Sequence, residues 1–100
     1  MYLVHARIRI PVGGGVPPGF AEMVRSHARE TDALEHVSVH PEIPGEVTVG
    51  VFSLAPDLAG AESRSAALLG RVVAAEPELA GFTVLSVGVA PVPGPWWGFE

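Results

Sequence analysis

The chain contains no cysteine, lysine, asparagine or glutamine. Without thiols it can form neither disulfides nor thiolate metal sites, and it has no thiol nucleophile. Without lysine there is no Schiff base and no phosphate-loop lysine. No stretch approaches the roughly 20 uninterrupted apolar residues of a membrane helix. The opening residues, Met1 to Arg7, carry charge too early and too regularly for a signal peptide, so a cytoplasmic protein with no membrane partner is expected. All six basic residues are arginine, and against 11 acidic residues they leave a net charge of −5. Phosphate contacts need concentrated positive charge, and no basic cluster exists, so nucleic acid is not an expected partner.

What is present is apolar. Over 100 residues, 48% are hydrophobic and 17% charged. That length suits one domain with one core. The apolar surplus asks for additional cover, and a dimer interface is one way to supply it.

Tyr2 to Ile10 alternates strictly, with Tyr2, Val4, Ala6, Ile8 and Ile10 on one face and Leu3, His5, Arg7 and Arg9 on the other. This is a strand, ended by Pro11. After Gly13-Gly14-Gly15, the positions Phe20, Met23, Val24, Ala28 and Thr31 mark a helical stripe, so helix one is predicted from about Pro18 to about Glu30. Leu34 to His40 alternates again, placing His36, Ser38 and His40 together. Pro41 to Gly45 reads as a turn, and Val47 to Leu54 as strand three.

Asp57 is a good N-cap. Leu58, Ala61, Ser65, Leu68, Leu69 and Val72 form the inner stripe of helix two, with Glu62, Arg64 and Arg71 outside. Glu76-Pro77 closes that helix, and Phe82 to Ala90 is strand four. Strands three and four look apolar on both faces.

The order β-α-β-β-α-β implies an α+β fold, the ferredoxin-like plait. Its antiparallel sheet has four strands in the order 4-1-3-2, with both helices on one face. Residues 1–90 would form this domain and 91–100 a Pro/Trp-rich C-terminal tail. An antiparallel sheet that is wet on one side should alternate cleanly. Apolar character on both faces of two strands therefore implies that part of the open face is covered, by a second copy, by the tail, or by both. In element order, and in the first strand Leu3-Val4-His5-Ala6-Arg7-Ile8-Arg9-Ile10-Pro11, the chain resembles the dimeric α+β-barrel proteins. Muconolactone isomerases and antibiotic-biosynthesis monooxygenases are examples of that group. The resemblance implies pairing through open sheet faces and carries no catalytic residue over.

His5, Arg7 and Arg9 share one face of a central strand. They could line an anion-holding wall, with His5 as acid or base and the arginines as ligand-binding forks. The plainer reading is a polar face held by cross-strand ion pairs. His36 and His40 are further ligand-binding candidates. They stand about 13 Å apart at about 3.3 Å per residue, too far to share a metal, and no metal site is expected. The Gly13-Gly14-Gly15 loop has Pro18 where a dinucleotide fingerprint needs glycine, so no cofactor is expected. No serine sits in a nucleophile elbow, and Ser65 reads as a small core contact. Trp96, Trp97 and Phe99 are interface candidates, because exposed aromatics are costly in water and tryptophan is a preferred anchor.

Two functional readings stay open. The first is a non-catalytic binding or accessory module, homodimeric, whose aromatic tail seals or extends an interface or docks a protein partner. The second is a dimeric α+β-barrel enzyme, of isomerase or cofactor-free monooxygenase type, acting on a small organic anion or aromatic metabolite.

Overall fold

The computed structural model describes residues 1–89. Its regular elements are β1 (Tyr2–Arg9), α1 (Phe20–His27), β2 (Leu34–Ile43), β3 (Glu46–Ser53), α2 (Leu58–Ala75) and β4 (Thr83–Val89). Single 3-10 turns at Glu30–Asp32 and Pro77–Leu79 precede β2 and β4. The strands form one antiparallel sheet in the order β2-β3-β1-β4, the expected order read from its other edge. No helix among the described residues is long and apolar enough to cross a membrane.

Alternation in β1 sorts the sheet into two faces. Val4, Ala6 and Ile8 are fully buried, and beside them lie Val47, Val49 and Val51 of β3. Phe20 and Val24 of α1 and Ala61, Leu68, Leu69 and Val72 of α2 belong to the same cluster, so both helices cover this face. Each buried Val, Leu or Ile contributes about 1.5–3 kcal/mol. Phe20 meets Phe82 edge-on, with ring centroids 6.3 Å apart.

Several elements depart from the sequence reading, each for a local reason. Helix α1 starts only at Phe20, because its N-cap Gly19 sits at φ 76°, outside helical geometry. It stops at His27, and Ala28 is extended. The chain is then drawn into an ionic knot. Asp32 is buried and accepts the Arg29 backbone N–H at 2.7 Å, while Arg71 reaches from α2 to Asp32 and to the His27 carbonyl. Arg71, expected on the outer face, is therefore half-buried. His27 Nε2 also donates to Glu76 Oε2 at 2.6 Å, tying the end of α1 to the end of α2.

Strand β2 runs on through Pro41 to Ile43, with a register shift between His40 and Ile43. Proline is tolerated there because β2 is an edge strand and need not donate outward. The hairpin turn shrinks to Pro44-Gly45, with Gly45 at φ 84°. Helix α2 starts as expected, since the Asp57 carboxylate accepts the Gly60 N–H at 2.7 Å.

The apolar character of strands three and four also resolves differently. In β4, Val84 faces Ile8 and Val87 faces Ala6, and both pack on the core. Residues three apart in a regular strand point oppositely. Leu85 is the extra residue of a bulge, and it switches the alternation. In β3 only Phe52 is apolar on the open face, because Leu54 lies beyond the strand end and is 57% exposed. The sheet therefore demands less outside cover than its sequence suggests.

Burial alone would raise the pKa of Asp32. The Arg29 backbone N–H and the Arg71 guanidinium outweigh it and hold the carboxyl below its usual range. A depressed folded pKa stabilises the protein above the unfolded value of about 3.9 and loses that contribution as pH falls through the lower folded value. Asp32→Asn should cost about 1–3 kcal/mol at neutral pH in denaturant titrations, and the difference from the parent protein should shrink as the pH falls below the usual carboxylate range.

Candidate functional site

The open face is built from the residues that alternate with the core. Leu3, His5, Arg7 and Arg9 come from β1, and Glu46, Thr48, Gly50 and Phe52 lie opposite them on β3. His36, Ser38 and His40 of β2 stand against Phe52, Gly50 and Thr48. Gly88 and Ser86 of β4 pair with His5 and Arg7. One row across the sheet is thus Ser38, Gly50, His5 and Gly88, in which His5 is the single large side chain.

Gly50 lets that row collapse. A Cβ there would stand 2.5 Å from Ser38 Oγ, 3.5 Å from a Leu3 methyl and 3.8 Å from the His5 ring. Ser38 and His5 thus lean over the glycine from either side. Ser38 Oγ lies 3.0 Å from His40 Nε2. His36 stacks obliquely on Phe52, with centroids 5.4 Å apart. The half of the open face over β2 and β3 is therefore a closed mosaic of short contacts.

The other half is hollow. Between β1 and β4 lies an open depression of about 440 Å³, walled by His5 and Arg7, by Ser86, Gly88 and Val89, and reached by Thr48 from β3. It is low because the β4 side chains there are small. Small-molecule sites start at about 300 Å³, so the space would admit one ring-sized group.

Arg7 is not a free fork. Its Nε and Nη2 bind the Glu46 carboxylate at 3.1 and 3.0 Å, a two-pronged pair. The Arg7 side chain is 54% exposed, so the pair adds at most about 1 kcal/mol to stability. Its chemical effect is larger, because Glu46 holds the carboxylate position that a bound anion would need. Glu46, half-buried and first in β3, was not marked as a site residue from sequence. Its place at the foot of the Pro44-Gly45 hairpin is the signal that carried it.

Of the residues expected to act together, His5 and Arg7 share the depression. Arg9 lies further along β1, between Glu46 and Thr83, and is exposed. His36 and His40 sit on β2, separated from β1 by β3. Among the described residues no group of three or more His, Cys, Asp or Glu side chains is placed to hold a metal ion. Ser65 is buried in α2 with no hydrogen-bond partner among the described residues, in keeping with a small core contact. Trp96, Trp97 and Phe99 lie outside the described residues.

A side chain at position 50 must displace the Ser38 hydroxyl and break its contact with His40. Gly50→Ala should cost about 1–2 kcal/mol by overpacking. In a Ser38→Gly background most of that cost should vanish, and a thermal-unfolding double-mutant cycle reads the coupling directly.

Compared with family models, with curated proteins and with solved structures, the chain shows no significant match to any of them.

Proposed function

We propose that this chain is a small non-catalytic binding or accessory module of the ferredoxin-like plait, homodimeric, with its open sheet face as the binding surface. The observation that supports this best is the state of the polar groups on that face. The Arg7 fork is closed by Glu46. Ser38 is engaged with His40, and His36 lies over Phe52. Groups committed to one another make a firm contact surface and a poor set of acids, bases and clamps. Leu3, Phe52 and the His36 ring form an apolar strip next to these pairs, the mixture of ring surface and polar rim common at interfaces. Two copies meeting through this face would bury that strip twice and roof the depression.

Light scattering tests the reading. The intact chain should have the mass of a dimer. Phe52→Arg, which puts a charge in the middle of the strip, should give a monomer with an unchanged far-ultraviolet circular dichroism spectrum. A chain ending at Pro91 shows whether segment 92–100 contributes to pairing. A monomeric intact chain at millimolar concentration would remove the homodimer from the proposal.

A second reading is favoured by the depression itself, which puts His5 and Arg7 on one wall. Here the dimer would be an α+β-barrel enzyme for a small organic anion or aromatic metabolite. His5 would serve as acid or base, and the substrate carboxylate would displace Glu46 from Arg7. Titration with a panel of aromatic carboxylates discriminates by nuclear magnetic resonance. Saturable shifts of the His5 ring signals, strengthened in Glu46→Gln, support the enzyme; unmoved signals support the module.

A further inference from the structure

We propose that the groove between the ends of α1 and α2 is a second binding site, which takes a small organic monocarboxylate with an apolar body. The site belongs to the helical layer and stands apart from the open sheet face.

The groove opens where the chain leaves α1 at His27 and where α2 ends at Ala75. Its volume is about 590 Å³, within the range of small-molecule sites. His27, Arg29 and Arg71 line it, and no carboxylate does. The rest of the lining is small: Ser26, Ala28, Ala74 and Ala75. A concave surface whose ionisable groups are all bases runs against the chain's net charge of −5.

The acidic groups nearby are already engaged. Asp32 is buried and accepts from Nη2 of Arg71. Glu76 accepts from Nε2 of His27 at 2.6 Å. The carbonyl ends of both helices would repel an anion, but they are capped. Arg71 Nη2 reaches the His27 carbonyl at 3.2 Å, and the N–H groups of Ala28 and Glu76 close the Arg25 and Val72 carbonyls. All these contacts of Arg71 use Nη2. Its Nε and Nη1, and the guanidinium of Arg29, make no hydrogen bond among the described residues. Arg29 is anchored through its backbone N–H, which Asp32 accepts at 2.7 Å. Its exposed side chain is therefore placed at the groove without being needed to hold the loop.

The charge count selects the ligand. Two guanidinium groups face one Asp32 carboxylate, which leaves one positive charge for the occupant. A carboxylate supplies one negative charge and matches the planar guanidinium fork. A phosphate dianion would stay partly unpaired beside methyl groups. The methyls of Ala28, Ala74 and Ala75 offer an apolar bed to the rest of the molecule.

Phenylacetate is the probe, titrated into the intact chain and followed by nuclear magnetic resonance. The amide signals of Ala28, Ala74 and Ala75 and the Arg29 Nε–H signal should shift saturably at millimolar ligand. Phenylacetamide has the body without the charge, and inorganic phosphate has charge without the body. Each should bind at least about fivefold more weakly. Arg29→Ala should weaken phenylacetate binding about fivefold with an unchanged circular dichroism spectrum, because the contact to Asp32 comes from the backbone. Ala74→Glu, at an exposed helical position, should abolish the shifts and keep the fold. His5→Ala should leave the titration unchanged. Absence of saturable shifts overturns the proposal, and so does binding undiminished in Arg29→Ala. Phenylacetamide or phosphate binding as tightly as phenylacetate overturns the assigned chemistry. Shifts confined to His5 and Ser86 also overturn it, by placing the probe in the depression of the open face. The two sites report through separate signals, so the groove and the open face are judged independently.

Discussion

Strand β1 is bonded on both edges, to β3 and to β4, and its side chains must alternate. Val4, Ala6 and Ile8 have no exposed surface, so a slip of one residue would bury His5 and Arg7 and expose the core. That penalty sets the register of the whole sheet. Pairing with β3 then places Gly50 against His5 and Thr48 against Arg7, and pairing with β4 places Gly88 and Ser86 there. The packing of Ser38 and His5 over Gly50, the depression and the Arg7–Glu46 pair all follow from where one nine-residue alternation is anchored.

Much of this was legible in the sequence, and the limits have physical causes. Period-two alternation is a local property, so β1 and the open-face set of His36, Ser38 and His40 could be read directly. The Asp57 cap was legible for the same reason, because its partner is three residues away. The bulge in β4 was not. A stretch such as Val84-Leu85-Ser86-Val87 shows apolar residues in both phases whether the strand is two-faced or carries an extra residue, and only the partner strand distinguishes the cases. The end of α1 was misjudged because a distant arginine on α2 sets it. The site shows the same division: the face of each residue could be read, but its partner could not. Arg7 looks like an open fork until β3 supplies Glu46 from 39 positions away.

The two halves of the open face differ in kind. Over β2 and β3, side chains settle onto one another across Gly50, and the surface is nearly finished. Over β1 and β4, small side chains leave a floor with walls and no lid among the described residues. One sheet thus offers a firm surface and a socket side by side.

Both outer strands carry irregularities that bear on how copies of this protein can meet. β2 includes Pro41, which has no N–H to offer a neighbouring strand, and its register shifts nearby. β4 carries the Leu85 bulge, which breaks its ladder and increases its local twist. An edge lacking an even row of donors and acceptors is a poor template for adding another strand. Continuation of the sheet from molecule to molecule, the route to fibrous aggregates, is thereby discouraged at both borders. Any self-association would then have to use the broad surfaces of the molecule instead of extending the sheet.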